Sequence, residues 1–428
     1  MQPDKNAPRT PSVFEQLVLP LEPILAANPY AYDCPSLSDR EWNHLGIKRV
    51  LGEERSGRGF LQSIFHRQSR DLGVPHFFES LKSERRLAYN QHALRELQKV
   101  MTLQRAKYDP FATYHDLDGF DIYAGDGHYH KTSTHEERIA GEKYAPQHFY
   151  ALNLRSQALG HLCLAAYGGE RKKEADIHAL KRLTTEELRQ GAKTGRKVLY
   201  VWDRACHDAA QWDEWKMSSG IYFLSRLRED MIPIPQEDIE VDMDDPVNRG
   251  VISDTMVEAT GSVIMRKIVY RCPLEGKEFS FLTNLPKRMR PGLIAFLYKV
   301  RWDIEKAFDQ IKNKLLEQKA WAKSPTAKSA QATFICLAHN LLLLLEDLLR
   351  EEEGIEWTRD KERRQERFDR AIENRQIQPD ALSEMLLNIQ RVTQVPLALL
   401  RWIRAFLFDD APWWAAIGRL RAAYVRFS

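Results

Sequence analysis

The chain is poor in cysteine, lacks a long apolar run and carries almost no net charge. Its 428 residues include only five cysteines, all widely separated, and no two of them form a Cys-x-x-Cys pair. This excludes a disulfide framework and a cysteine-based zinc site, and it fits a reducing cytoplasm. The best candidate for a membrane segment, 341–345, is far shorter than the roughly 20 apolar residues that a span needs. We therefore predict a cytoplasmic protein without a membrane partner.

The composition is otherwise that of a large folded protein. Apolar residues make up 43% of the chain and aromatic residues 10%, which allows a large core and excludes wholesale disorder. At roughly 100–200 residues per domain, the length predicts two or three domains, or one domain with a large insertion.

The small net charge of +3 hides an uneven distribution of charged residues. Residues 287–323 carry ten bases and four acids, whereas residues 237–245 carry six acids and no base. We interpret 237–245 as a solvated loop. Charges more than about 10 Å apart are largely screened at moderate salt, so a basic segment can bind phosphates in a nearly neutral protein.

Hydrophobic periodicity predicts helical regions at both ends of the chain. Residues 1–112 are predicted to form a helical N-terminal domain, in which 83–107 is an amphipathic helix. Residues 351–428 are predicted to form a helical C-terminal region. No helix-turn-helix pattern is evident in the N-terminal helices.

The centre of the chain predicts a mixed α/β sheet flanked by helices. Three consecutive strands are followed by a helix, a strand, a helix and a strand, an order that differs from repeated parallel units. The predicted elements are strands at 119–124, 149–155, 158–167, 197–202 and 221–227, and helices at 175–190 and 208–219, with Asp208 as N-cap. Residues 113–228 and 287–350 would form this domain, and 229–286 a β-rich insertion.

Two aspartates are predicted to follow strands of this sheet. Asp126 comes after the first strand in Gly-Asp-Gly-His, and Asp203 comes directly after the apolar strand 197–202. Each has an ordinary alternative, because Asp-Gly is a favoured turn dipeptide and Asp203 could simply pair with Arg204. Ligand-binding groups gather where sheet strands end, so the pair is a stronger signal than either residue alone.

A third acid, Glu305, lies in a predicted helix that begins near Gly292. Its core-facing apolar stripe is Ile304, Phe308, Ile311 and Leu315. A second face of the same helix holds Tyr298, Arg301, Glu305 and Lys312 at spacings of three, four and seven. An ordinary solvated face with an Arg301–Glu305 pair would have the same pattern. A functional face would instead combine a metal-binding carboxylate with a tyrosine and two cations that bind phosphate.

These residues resemble those of the DDE transposases of bacterial insertion sequences, specifically the insertion sequence 4 family. Tyr298, Arg301, Glu305 and Lys312 match the family's spacing at every position, and Asp126-Gly127 and Asp203-Arg204 match its two aspartate motifs. Thr283-Asn284-Leu285 also resembles a stretch that precedes the glutamate helix in that family. Trp202 is bulkier than the usual residue before the second aspartate. The resemblance covers roughly residues 119–345.

The resemblance implies a ribonuclease H-like fold in which Asp126, Asp203 and Glu305 are the catalytic, metal-binding carboxylates. Such hard oxygen ligands suit Mg²⁺ or Mn²⁺, and two ions are expected. Tyr298, Arg301 and Lys312 would hold DNA phosphates near the cleaved bond. In the family, the 102-residue interval between Asp203 and Glu305 contains a β-rich insertion.

The resemblance also implies the partners and the reaction. The expected substrate is double-stranded DNA, both the terminal inverted repeats of a transposon and the target, with no small-molecule substrate. The N-terminal helical domain, residues 1–112, is the best candidate for binding the transposon ends. A homodimer on DNA is expected, because two transposon ends must be paired. Two alternatives stay open: an impaired protein that binds transposon ends without cutting, and a ribonuclease H-like nuclease without strand transfer.

Other residues compete for functional roles. His128 and His130, with His115, His135 and His148, could form a zinc site, although phosphate contacts or turn polarity are the simpler roles. Asp121 is the main rival of Asp126 as the first carboxylate, ahead of Asp116 and Asp118. The tryptophans at 321, 402, 413 and 414 could stack on bases, but core packing is their ordinary role.

Overall fold

The structure of the protein is a computed structural model. It describes residues 10–54, 56–68, 74–133, 147–166, 174–272, 276–357 and 395–427, together with residues 362, 366, 369, 370 and 373.

Helices form the N-terminal region, as predicted. In the described part of the chain, the α-helices before the sheet are α1 (Val13–Val18), α2 (Glu22–Ala26), α3 (Asp39–Leu51), α4 (Gly57–Gln68), α5 (Val74–Phe77) and α6 (Glu84–Gln104). The Ser83 side chain caps α6 by accepting a hydrogen bond from the Arg86 N–H at 3.3 Å. Leu94, Leu97 and Met101 of α6 are buried, so the predicted amphipathic helix is confirmed.

The predicted mixed sheet is also confirmed. Its first five strands are β1 (Phe120–Tyr129), β2 (Gln147–Asn153), β3 (Leu159–Leu164), β4 (Lys197–Trp202) and β5 (Ile221–Arg226). β1 pairs with β2 and β2 with β3 in antiparallel fashion, whereas β4 is parallel to both β1 and β5. The interior of β4 is buried on both faces, as its continuous apolar sequence predicts.

The helices between these strands match their predictions only in part. Helix α9 (Ala209–Ser219) is capped by Asp208, which accepts a hydrogen bond from the Gln211 N–H at 3.0 Å. The helix predicted at 175–190 is instead two short helices, α7 (Asp176–Lys181) and α8 (Thr185–Leu188). The split occurs because Thr184 and Glu187 form a capping box that starts a new helix.

Residues 234–283 add four antiparallel strands to the same sheet. These are β6 (Ile234–Asp238), β7 (Val251–Glu258), β8 (Ile264–Arg271) and β9 (Glu278–Thr283), and the strand order is β3-β2-β1-β4-β5-β9-β8-β7-β6. The prediction of a solvated loop at 237–245 is wrong at its start, because Glu237 and Asp238 pair with β7. Acidic side chains are compatible with this edge strand because its backbone pairs while its side chains stay in water. The domain boundaries at 112, 228, 286 and 350 stay predictions.

The acidic segment contacts one end of the basic segment. The Lys287 ammonium lies 2.5 Å from the Glu237 carboxylate, and Arg290 donates to Asp245 at 3.1 Å. The acidic segment therefore offsets part of the positive charge of the basic segment at Lys287 and Arg290. Sequence patterning misses these contacts because the β-strands bring together residues about 50 positions apart.

Helices complete the fold after the sheet. Among the residues that the structure describes, they are α10 (Pro291–Val300), α11 (Asp303–Asp309), α12 (Pro325–Glu351), α13 (Leu397–Phe406) and α14 (Trp413–Phe427), with a π-helical segment at Gln310–Lys314. α12 packs against α3, α6 and β3 and is buried almost all round. It is long and apolar enough to cross a membrane, but 89% of its most apolar window is buried inside the protein.

Candidate active site

The register of the sheet brings Asp126 and Asp203 to one edge. β1 and β4 are parallel and their pairing ends at Ala124 and Val201, so continuing the register sets Asp126 level with Asp203. The sequence predicted that Asp126 follows the end of its strand or lies in a turn. It does neither, because it lies within β1. β1 continues to Tyr129 because β2 still pairs with it there, with Asp126 opposite Tyr150. Asp126 therefore lies in the part of β1 that pairs with β2 and extends beyond the pairing with β4.

Gly125 and Trp202 hold the two strands together just before the aspartates. A Cβ atom on Gly125 would lie 1.7 Å from the Trp202 ring, so no other residue fits without moving the indole. Trp202 is fully buried, and its Nε1 donates to Asp176 at 3.3 Å. The bulky tryptophan before Asp203 is thus matched by the glycine before Asp126.

Glu305 lies on a helix that is broken, not on the single helix predicted. α10 ends at Val300 and α11 begins at Asp303, with Arg301 and Trp302 in the turn between them. The predicted apolar stripe is nevertheless buried: Ile304, Phe308, Ile311 and Leu315. It packs α11 on β1 and β2, where the Phe308 ring stacks on His128 at 4.7 Å between centroids. This packing positions Glu305 beside the first aspartate.

Arg301 joins two of the three carboxylates. Its Nη1 donates to Asp126 at 3.1 Å and its Nη2 donates to Glu305 at 3.2 Å. The Arg301 side chain is only 6% exposed, whereas those of Asp126 and Glu305 are 19% and 38% exposed. An ordinary solvated i,i+4 pair would have both partners in water, so this alternative is wrong.

The charges at this centre influence one another. Burial raises the pKa of Asp126 to about 6; Arg301 and the Gly127 N–H oppose this rise, while Asp203 and Glu305 add to it. Burial alone would lower the pKa of Arg301, but Asp126, Tyr298, Glu305 and Asp203 raise it overall. The three carboxylates therefore lie close enough to affect one arginine, and their negative charge exceeds its positive charge.

Tyr298 and Lys312, the remaining predicted site residues, differ in exposure: Tyr298 is partly buried and Lys312 is exposed. Tyr298 is half-buried beneath the Arg301 guanidinium, which lies 5.6 Å from its ring centroid, and burial together with Asp203 raises its pKa. Lys312 is exposed in the π-helical segment. Its charge adds to burial in lowering the pKa of His128 on β1. Tyr298 and Arg301 thus belong to the carboxylate centre, and Lys312 lies beside its β1 wall.

The donor chemistry of the centre fits a hard divalent cation. Carboxylate oxygens are the ligands that Mg²⁺ and Mn²⁺ prefer, and all three carboxylates remain partly accessible to water. In the described ranges, no group of three or more His, Cys, Asp or Glu side chains is arranged to hold a metal ion. The guanidinium of Arg301 lies between Asp126 and Glu305 in this arrangement.

Four histidines, three of them buried and His128 partly exposed, form a cluster next to the site. His130 lies between His128 and His148 at centroid distances of 5.0 and 5.1 Å, and the His148 Nδ1 lies 3.1 Å from the Nε2 of His161. Burial lowers the pKa of His128 and His161 to about 4 and that of His130 to about 3. The structure brings together His128, His130 and His148 of the zinc alternative; as at the carboxylate centre, the described residues hold no group of three arranged to bind a metal ion. His161 was missed by sequence reasoning because only strand pairing brings it to the others.

The other histidines lie elsewhere. His115 is exposed and pairs with Asp118 at 3.1 Å. His135 lies outside the described residues.

The rival aspartates lie apart from this centre. Asp121 is fully buried, accepts a hydrogen bond from the Lys193 N–H at 2.7 Å and lies 3.5 Å from Arg196. It is five residues before Asp126, so strand alternation points it to the opposite face of the sheet. Asp116 is bound by Arg290 and Asp118 by His115.

The tryptophans divide between core and surface. Trp402 is buried and donates to the Ala416 carbonyl at 2.9 Å, and Trp321 packs on Phe334. Trp414 is exposed at the C-terminal helix, and Trp302 is exposed next to Arg301. Core packing therefore explains the position of Trp402, and it explains part of the environment of Trp321, which is half-buried.

A comparison with protein families now identifies the chain. A family model described as the transposase DDE domain matches residues 115–341, which include all three carboxylates. The protein belongs to this family, whose members act in DNA recombination by transposition. Membership implies DNA as a partner and a divalent-metal-dependent nuclease or transposase activity. A search of curated proteins finds no match.

Proposed function

We propose that this protein is the transposase of an insertion sequence of the insertion sequence 4 family, with Asp126, Asp203 and Glu305 as its catalytic carboxylates. It would cleave DNA at the transposon ends and transfer the liberated 3′-OH to target DNA in the cytoplasm, as a dimer on DNA. The observation that carries the proposal is the buried Arg301, which contacts both Asp126 and Glu305 while Asp203 lies level with Asp126. The strand order β3-β2-β1-β4-β5, with only β1, β4 and β5 parallel, supports a ribonuclease H-like fold.

The carboxylates would act as metal ligands. Two Mg²⁺ or Mn²⁺ ions, when bound, would activate the attacking water and stabilise the leaving 3′ oxygen. Asp126 must be ionised to bind a cation, and its pKa of about 6 makes it so at neutral pH. The Gly127 N–H favours the ionised form of Asp126, because it donates a hydrogen bond to the carboxylate at 2.8 Å.

The cationic and phenolic side chains would orient DNA. Arg301 balances part of the carboxylate charge, and its guanidinium is planar and can contact a phosphate in two places. Tyr298 could donate its hydroxyl to the same phosphate, because it lies directly under Arg301. Lys312, exposed near β1, would contact a phosphate further along the strand. Such contacts set the register of the DNA and do not read its sequence.

One assay tests the proposal. The wild-type protein, Glu305→Gln and Asp309→Asn are incubated with terminal-repeat DNA, target DNA and Mg²⁺, and cleaved and joined products are measured separately. Asp309 is a matched control because it is an exposed acid on the same helix as Glu305. We expect Glu305→Gln to lower the cleavage rate by at least about a thousandfold, since a metal supplies several kcal/mol to the transition state.

The products decide between the proposed function and its alternatives. Cleavage and joining by both the wild type and Asp309→Asn, but not by Glu305→Gln, would support the proposal. Cleavage without joining would support a nuclease, and DNA binding without cleavage by any form would support an impaired end-binding protein.

A further inference from the structure

A cleft of about 950 Å³ separates the N-terminal helices from the segment that follows the glutamate helix. One wall comes from the end of α3, the start of α4 and the 3-10 helix Glu79–Lys82. The opposite wall is residues 315–323, together with Lys131 and Ser133 beyond the end of β1. The cleft is distinct from the carboxylate centre, since Asp126, Asp203 and Glu305 do not line it.

The cleft is nevertheless built on the strand that carries Asp126. Beyond β1, the Lys131 N–H donates to the Gln318 carbonyl and the Ala320 N–H donates to the Lys131 carbonyl, both at 2.8 Å. These bonds set Lys131 beside Lys319. Lys131 is five residues after Asp126, which is about 16 Å along an extended strand. Residues 315–323 likewise follow the π-helical segment that holds Lys312. The two chain segments that leave the candidate active site, one after β1 and one after the π-helical segment, therefore both reach the cleft.

Exposed cations line both sides of the cleft. They are Arg58 and Lys82 on the N-terminal wall, and Lys131, Lys319 and Lys323 on the other. Arg58, Lys131 and Lys323 have no carboxylate partner among the residues that the structure describes. The exposed acids in the lining are Glu53 and Glu79, the latter paired with Lys82 at 2.5 Å. The accessible charge is therefore positive, as a polyanion requires.

The inner surface of the cleft is fixed by buried polar groups. The Arg49 guanidinium lies 5.3 Å from the Trp321 ring centroid, and Nη1 donates to the Glu54 carbonyl at 2.5 Å. Glu317 is buried and accepts hydrogen bonds from the Trp321 Nε1 at 2.9 Å and the Gln331 Nε2 at 2.6 Å. Together with the hydrogen bond from the Gln331 Nε2 to the Lys319 carbonyl at 2.9 Å, these contacts anchor residues 317–321, which include Lys319, to α3 and α12.

We infer that this cleft binds the phosphate backbone of one DNA strand as the strand leads away from the carboxylate centre. The inference rests on the proposed function, because it requires DNA at that centre. The volume is at the upper end of the roughly 300–1,000 Å³ of small-ligand sites, so it suits a short stretch of one backbone and not a whole duplex. Lysine and arginine contacts of this kind are independent of sequence and release counterions.

The test is the salt dependence of DNA binding. A triple variant, Lys131→Ala, Lys319→Ala and Lys323→Ala, is compared with a control triple variant, Lys181→Ala, Lys216→Ala and Lys267→Ala. The control removes the same charge from α7, α9 and β8, which do not line the cleft. Affinity for terminal-repeat DNA is measured by fluorescence anisotropy between about 50 and 200 mM salt, the range over which phosphate contacts are evident. A Lys→Arg version of the cleft triple keeps the charge and serves as the rescue.

The expected result is specific to the cleft. Removing one lysine–phosphate interaction reduces the slope of log affinity against log salt by about one, so the slope of the cleft triple variant should fall by up to about three. The slope of the control triple variant should fall by less than about one, and the arginine version should restore the wild-type slope. Equal slopes for the cleft and control triple variants would overturn the inference while leaving the proposed function intact. If the wild type itself does not bind this DNA, both the inference and the proposed function fail.

Discussion

Two buried arginines of this protein are held in different ways. Arg266 on β8 forms a two-point ion pair with Asp254, with Nε–Oδ1 at 2.8 Å and Nη2–Oδ2 at 2.5 Å. Its remaining hydrogen bonds go to the carbonyls of Pro286 and Met289 at 2.8 and 2.7 Å. Arg301 instead contacts two carboxylates through single hydrogen bonds and is influenced by a third, Asp203.

The difference separates an arginine with a structural role from the arginine at the candidate active site. At Arg266, one positive charge meets one negative charge, both fully buried, and every donor group has an acceptor. At Arg301, two carboxylates contact one guanidinium and a third, Asp203, influences it electrostatically, and all three are partly exposed to water. The surplus of negative charge is what a divalent cation could neutralise. We therefore expect Mg²⁺ to affect the second arrangement and not the first.

The largest expected effect is that of Arg266→Ala. The substitution leaves the Asp254 carboxylate buried without its partner, and removal of one member of a buried ion pair costs about 3–5 kcal/mol. Chemical denaturation should show this loss in the free energy of unfolding, both with and without Mg²⁺. A recovery of stability on adding Mg²⁺ would contradict the distinction between the two arginines.

Glu317 differs from Asp254, because it is a buried acid whose hydrogen bonds come from Trp321 and Gln331 and not from an arginine. Burial raises its pKa from 4.5 to about 7, so the folded state holds a proton that the unfolded state loses. The stabilisation that the protonated Glu317 gives to the folded state is fully present below pH 4.5 and is lost as the pH rises towards 7. Glu317→Gln should remove this loss, which at 1.36 kcal/mol per pKa unit is about 3 kcal/mol.

The measurement for Glu317 is a difference between pH values. The free energy of unfolding of Glu317→Gln minus that of the wild type should rise between pH 5 and pH 8, as judged by denaturant unfolding. Because both proteins contain the same other titrating groups, the difference isolates Glu317. A difference that does not change with pH would show that Glu317 is ionised in the folded state at pH 5.

A smaller effect is expected for Arg301→Ala. The variant should lose about 1–3 kcal/mol in the absence of metal, because its partners keep some access to water while losing a charged donor. Mg²⁺ should then raise its melting temperature more than it raises that of the wild type, since the guanidinium no longer competes for the carboxylates. The Mg²⁺-induced rise in the melting temperature of Arg301→Lys should lie between those of the wild type and Arg301→Ala. Identical Mg²⁺-induced shifts in all three proteins would reduce Arg301 to a structural role like that of Arg266.

The smallest effect is expected for Lys306→Ala on the same helix as Glu305. Lys306 is partly exposed and forms an i,i+3 pair with Asp303 at 2.7 Å. Pairs of this kind contribute about 0.3–0.5 kcal/mol, so stability should hardly change. The Mg²⁺-induced shift in melting temperature should equal that of the wild type. A change in that shift would mean that any charge near Glu305 has the effect assigned to Arg301.

Local patterns in the sequence predict much of this structure. The strand Lys197–Trp202 follows from its continuous apolar run, and the start of α9 follows from Asp208. The spacing of Tyr298, Arg301 and Glu305 gives the candidate site, and the apolar stripe beside it is buried as predicted. In each case the signal lies within one segment of the chain.

Features that depend on distant contacts could not be predicted in this way. β1 extends past Asp126 because β2, more than 20 residues later, still pairs with it. The helix predicted around Glu305 breaks at Arg301, where the guanidinium binds Asp126 175 positions earlier in the chain. The ion pair of Lys287 with the acidic strand depends on sheet topology in the same way.

Direct titration with Mn²⁺ tests the central claim that the carboxylates around Arg301 form a metal site. Loss of the electron paramagnetic resonance signal of free Mn²⁺ is measured for the wild type, Asp126→Asn, Asp203→Asn and Glu305→Gln, with Asp309→Asn as the control. We predict that the wild type and the control bind Mn²⁺ equally and that each of the other three variants binds it at least about tenfold more weakly, a loss of roughly 1.4 kcal/mol or more. Equal binding by all five proteins would contradict the account.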